Sequence, residues 1–85
     1  MVKAIKFYAD WCGPCKMYSK IWNKVESELK EEVEFVEIDV DKDTTGLAAK
    51  YKVRSIPMTV VIKEEDEIKV TGLIQEKELK ELILN

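Results

Sequence analysis

No histidine occurs in this chain, and cysteine occurs only twice, at Cys12 and Cys15. The first absence removes a Cys/His nucleophile pair and every histidine metal ligand, so a tetrahedral zinc site on these cysteines needs ligands from a second chain. Two cysteines are also too few for the disulfide framework of a small secreted domain. No apolar run approaches the roughly 18 residues of a membrane span, and the opening MVKAIKFYA has neither the long apolar region nor the cleavage site of a signal peptide. The expected compartment is the cytoplasm, without membrane contact. A basic stripe is missing too: the formal net charge is -3, with lysines and acids interspersed. Nothing is arranged to neutralise a phosphate backbone, and nucleic acid is not an expected partner.

What is present suits one domain over residues 1–85, expected to be a monomer. At this length roughly 60 to 65% of the unfolded surface can be buried on folding. With 46% hydrophobic and 36% charged residues, the composition is that of a globular, soluble chain rather than a disordered one. There is no linker, internal repeat or low-complexity stretch.

Residues 2–9 (VKAIKFYA) are rich in β-branched and aromatic types and stop at Asp10, as a strand does before a tight connection. From Pro14 the period changes. Tyr18, Ile21, Trp22, Val25 and Leu29 recur at three- and four-residue spacing, predicting an amphipathic helix over 13–31 with Pro14 in its first turn. Residues 33–40 (VEFVEIDV) alternate as a second strand, and a strand, helix and strand in that order form a right-handed crossover with parallel strands. Asp43 or Thr44 caps a shorter helix over 45–52, whose inner face is Leu47, Ala48 and Tyr51. The run PMTVVIK at 57–63 and IKVTG at 68–72 flank the charged EEDE as an antiparallel hairpin. Leu79, Leu82 and Ile83 mark one face of a closing helix over 75–84. The order β-α-β-α-β-β-α gives an α/β chain with a four-stranded mixed sheet covered by helices.

The cysteines lie between the first strand and the long helix, in WCGPCK at 11–16. A thiolate attacks disulfides and a thiol hardly does, so a catalytic cysteine needs surroundings that favour negative sulfur. Cys12 is expected to have them, facing the free amides and the positive dipole end of the helix. Cys15 falls in the first turn, within reach of Cys12 sulfur and further from solvent. The spacing suits a mechanism in which Cys12 attacks a substrate disulfide and Cys15 then attacks Cys12, leaving a Cys12–Cys15 disulfide. Gly13 permits sharp backbone entry and close substrate approach, and Pro14 stiffens the turn. Two structural thiols, or half of an intermolecular zinc or iron–sulfur site, are the competing readings.

WCGPCK, together with KYKVRSIPMTVVI at 50–62, resembles the two signatures of the thioredoxin family, and the likeness runs from about Ala4 to the C-terminus. The resemblance implies a thioredoxin fold with sheet order 2-1-3-4, lacking the extra N-terminal strand and helix of ordinary thioredoxins. It also implies a cis Pro57 beside Cys12, general reduction of protein disulfides, and a substrate surface of Trp11, Gly13, Pro14, Ile56, Pro57 and Gly72 around an exposed sulfur. The Ile56 backbone is placed to pair with an extended substrate segment. No bound cofactor or metal is implied; the redox-active Cys12–Cys15 disulfide is reduced from outside, by an NADPH-linked thioredoxin reductase or by glutathione.

Three features depart from the family pattern. The length is that of a glutaredoxin, yet Gly13 and Pro14 replace that family's Pro and Tyr, and no Gly-Gly pair stands near Gly72 to receive glutathione. A glutathione-dependent reductase and a non-catalytic binding module on the same fold are the alternative functions. Lys6 stands where most thioredoxins bury an acid that handles the proton of the second cysteine, and Glu37 falls where many carry lysine. With the pair reversed in this way, Glu37 near Lys6 takes the proton-transfer role for Cys15, unless both side chains reach out to water as ordinary strand charges. Met58 follows Pro57 where threonine is common, and either softens the substrate groove or fills the core.

Overall fold

Four consecutive residues of the first strand, Ala4, Ile5, Lys6 and Phe7, are buried. A strand buried on both faces must lie inside a sheet that is covered on each side. The computed structural model, which describes all 85 residues, has that arrangement. Its elements are β1 Val2–Tyr8, α1 Gly13–Leu29, β2 Val33–Asp39, α2 Leu47–Lys50, β3 Met58–Lys63, β4 Asp66–Thr71 and α3 Glu76–Leu84. The sheet order is β2-β1-β3-β4. β1 runs parallel to β2 and antiparallel to β3, which pairs antiparallel with β4. The expected mixed α/β sheet and its order are therefore found.

Strand alternation sends Ala4 of β1 and Val61 of β3 to one face, where Tyr18, Trp22 and Val25 of α1 and Leu79 and Ile83 of α3 cover them. Trp22 meets the rings of Phe35 and Tyr18 edge-on, at centroid distances of 5.4 and 6.2 Å. The opposite face gathers Ile5, Phe7, Ile38, Met58 and Val60 around Tyr51. A third, small cluster of Ala9, Cys12 and Cys15 forms just past the end of β1. It holds the chemistry and sits where the two parallel strands deliver the chain.

The boundaries move where the backbone is turned by particular residues. α1 ends at Leu29 rather than at 31, because the Glu32 amide already turns back to the Leu29 carbonyl. The second helix spans only Leu47–Lys50 instead of 45–52. Gly46 ahead of it and Lys52 behind it have φ of 78° and 54°, which a helix cannot continue through. Asp43, not Thr44, holds this turn, accepting from the amides of Thr45 and Ala48 at 2.8 and 3.0 Å. β4 begins at Asp66 because the hairpin closes over two residues, with Lys63 opposite Asp66 and Glu64 at φ 48° as such tight turns require. Met58 is buried in the second cluster, so it fills the core and not the groove.

Candidate active site

Cys12 occupies the N-cap of α1, with extended backbone, and Pro14 sits in the first turn where its missing amide proton costs nothing. The Cys12 sulfur accepts from the Cys15 amide at 3.1 Å, standing where a capping serine or aspartate oxygen ordinarily stands. The two sulfurs are bonded as a disulfide, with Cα atoms 5.2 Å apart. Both are nearly enclosed, Cys12 at 5% and Cys15 at 2% exposure. The expectation of an exposed attacking sulfur is corrected here: its neighbours Trp11, Gly13 and Pro14 are exposed, while Cys12 itself is enclosed in a cluster with Ala9 and Cys15, against which Tyr8, Val40 and Ile56 pack. Gly13 is helical rather than left-handed, so sharp entry does not demand glycine. A side chain there would meet nothing within 4 Å, so glycine leaves the surface beside Cys12 bare.

The second wall comes from the loop before β3. The Ile56–Pro57 bond is cis, and the Ile56 carbonyl oxygen lies 3.9 Å from the Cys12 sulfur. Pro57 is buried, and its carbonyl accepts from the Gly72 amide at 2.8 Å. Gly72 has φ of 88°, a conformation that favours glycine, and it ties the end of β4 to this wall. Trp11 is 70% exposed, with its indole N–H donating to Asp41 at 2.7 Å. Trp11, Val40, Ala48, Val53, Arg54 and Ile56 line a cleft of about 370 Å³ beside Cys12. Asp41 and Arg54 were not among the residues singled out from sequence, since loops 30 and more residues apart supply them and no spacing signals that.

Lys6 does not reach water. It is 1% exposed, with its ammonium 2.8 Å from Glu37 Oε1 and donating to Ser19 Oγ at 2.9 Å. Tyr8 and Trp22 place their rings 5.3 and 5.6 Å from it. The pairing follows from register, because Lys6 and Glu37 are partners across the parallel β1–β2 ladder and share a face. Tyr8 beside them has its phenol raised above the ordinary range, by burial first and then by Asp39, Glu37 and Asp10. Ser19 is the residue sequence reading missed. The available signal was its spacing, four after Cys15 on one helix face.

Two sulfurs that share a bond, at a helix start whose amides favour the thiolate, are suited to one chemistry: the exchange of disulfides. The chain is a dithiol–disulfide oxidoreductase acting on protein disulfides. It belongs to the thioredoxin family, whose sequence model, described as Thioredoxin, matches residues 2–85. A thioredoxin of Staphylococcus epidermidis is 35% identical over 83 residues, covering 96% of this chain and 79% of the relative. One from Mycoplasmoides gallisepticum is 40% identical over 81 residues, covering 93% and 78%. Among solved structures, that of Fasciola hepatica thioredoxin is similar with a TM-score of 0.84 at 36% identity, over 98% of this chain and 78% of that one.

Proposed function

We propose that Cys12 is the nucleophile and Cys15 the resolving thiol of a monomeric, cytoplasmic protein-disulfide reductase. The observation that carries this is the Cys12 sulfur at the N-cap, taking the Cys15 amide at 3.1 Å. In the reduced state the same amide and the helix dipole favour the Cys12 thiolate. The thiolate attacks one substrate sulfur, forming a mixed disulfide, and the other substrate sulfur leaves with the electron pair. Cys15 then loses its proton and attacks Cys12, the bond to substrate breaks, and the second substrate thiol departs. The Cys12–Cys15 disulfide that remains takes two electrons from an external donor, an NADPH-linked thioredoxin reductase.

Trp11, Gly13 and Pro14 on one side and Ile56, Pro57 and Gly72 on the other form the substrate surface. Their apolar and small side chains suit contact of low selectivity, with the Ile56 backbone pairing to an extended segment. Glu37, held on Lys6, exchanges the proton of Cys15 with solvent: it is half exposed while its cation is enclosed, so it links the buried region to water.

Insulin reduction tests the reading. Cys12→Ser is expected to abolish turnover and Cys15→Ser to trap mixed disulfides; turnover surviving Cys12→Ser overturns it. Supplying a thioredoxin reductase with NADPH, or glutathione alone, decides the donor, and turnover on glutathione alone reassigns it. Resolution of the mixed disulfide in Glu37→Gln, followed against pH, decides the proton role, and an unchanged profile removes Glu37 from it.

A further inference from the structure

Ser19 stands between a buried cation and the resolving cysteine. It lies one turn after Cys15 on α1, and residues four apart share a helix face. Its Oγ accepts from the enclosed Lys6 ammonium at 2.9 Å. On its other side Ser19 and Cys15 line a cleft of about 130 Å³, whose remaining walls are Tyr8, Ala9, Asp10 and Lys16. The cleft has room for a few water molecules at about 30 Å³ each. Because Lys6 occupies a lone pair of Oγ, the hydroxyl hydrogen stays free to turn toward the cleft.

Resting on the reading of Cys15 as the resolving thiol, we propose that Ser19 is a positioning residue for that step. Its hydroxyl, polarised by Lys6, donates to the Cys15 sulfur as the thiolate forms. A sulfur this enclosed becomes negative only at a large desolvation cost unless a donor meets it. Of the groups facing the cleft, Asp10 opposes the charge, Lys16 favours it, and Tyr8 is neutral because its phenol is raised. Behind Ser19, Glu37 cancels much of the Lys6 charge, which leaves the hydroxyl dipole as the directed contribution. In the step, the Cys15 proton leaves by way of water in the cleft, the route by which it reaches Glu37 and solvent, and the Cys15–Cys12 bond forms. The Cys12–substrate bond breaks, and the electron pair departs on the substrate sulfur, which takes a proton from solvent.

The test is the reduced protein mixed with 5,5'-dithiobis(2-nitrobenzoate) in stopped flow. Attack by Cys12 releases the first thionitrobenzoate, and resolution by Cys15 releases the second. Ser19→Ala is expected to slow the second phase about tenfold near neutral pH, to move its rise with pH toward alkali and to leave the first phase alone. Ser19→Thr, which keeps the hydroxyl, is expected to restore the profile. Ser19→Ala also takes an acceptor from the buried Lys6 ammonium, so the unchanged first phase is the control that the variant is folded. A second phase in Ser19→Ala that matches wild type while Cys15→Ser abolishes it overturns this inference alone. A wild-type protein lacking the second phase overturns the resolving-thiol reading and this inference with it.

Discussion

The ammonium of Lys6 lies 2.8 Å from the carboxylate of Glu37, yet only the lysine is enclosed, at 1% exposure against 44%. The two partners therefore differ in what their loss leaves behind. Glu37→Gln takes away the counter-charge of a buried ammonium and leaves it only neutral acceptors, the new amide oxygen and the Ser19 hydroxyl, and a loss of about 2 kcal/mol is expected. Lys6→Met removes the buried charge and keeps the volume, leaving an exposed carboxylate that water solvates. Its stability is expected within about 1 kcal/mol of wild type. Urea unfolding of both variants checks the asymmetry, and equal losses would contradict it.

Much of this was legible in the residue pattern. The two-residue period of 33–40 and the three- and four-residue period from Tyr18 to Leu29 report which faces are apolar, and burial of apolar faces dictates the layers. Cys12 and Cys15 were legible because their geometry is local to one helical turn. The Lys6–Glu37 pair was partly so, since two parallel strands place them on one face; whether the lysine reached water depended on Tyr8, Ser19 and Trp22 closing over it. The enclosure of Cys12 and the Trp11–Asp41 bond were not legible, because both depend on how separate loops meet. The length of α2 was misread for a backbone reason: positive φ at Gly46 and Lys52 cuts the helix on both sides, and the lysine carried no warning of it.

Tyr18 makes stability fall in alkali. Its hydroxyl shares a 2.6 Å hydrogen bond with Thr59, both residues are fully buried, and burial pushes the phenol up to about 12 from 10.0. The folded group keeps its proton longer than the unfolded one. Its contribution is complete below pH 10 and declines as pH rises toward 12, at up to about 1.4 kcal/mol per pH unit. Tyr8 shifts in the same direction. Denaturant unfolding of the oxidised protein from neutral to alkaline pH is expected to show the decline, with a shallower slope in Tyr18→Phe. The variant starts less stable by about 1 kcal/mol, because Thr59 loses its partner.

Asp43 organises the approach to α2 and so one side of the cleft beside Cys12. Its carboxyl is held below the usual range, first by the Thr45 hydroxyl and then by the Ala48 and Thr45 amides. With a depressed folded value, its contribution is present at neutral pH and lost as pH falls through that value. In Asp43→Ala, hydrogen exchange at the Thr45 and Ala48 amides is expected to speed up while the β1 and β3 amides stay protected. Lowering the pH of the wild type is expected to reproduce that local loosening. Protection at Ala48 that survives the substitution would mean the turn is held by Gly46 and the neighbouring backbone instead.

The proposed place of Trp11 in the substrate surface predicts that its loss separates binding of a protein substrate from the chemistry at Cys12. Its ring is 70% exposed and makes one hydrogen bond, to Asp41, so truncation removes surface and little packing. Trp11→Ala is expected to unfold within about 0.5 kcal/mol of wild type. A wide apolar ring beside the 370 Å³ cleft has contact area to offer a polypeptide and little to offer a small disulfide. The kcat/KM for insulin is therefore expected to fall about tenfold, a loss typical of an interface aromatic, while the reaction with 5,5'-dithiobis(2-nitrobenzoate) keeps its wild-type rate. Asp41→Ala frees the indole without removing it and is expected to lie between the two. Equal losses on both substrates would instead show that Trp11 acts on the Cys12 sulfur itself, through the turn that carries them both.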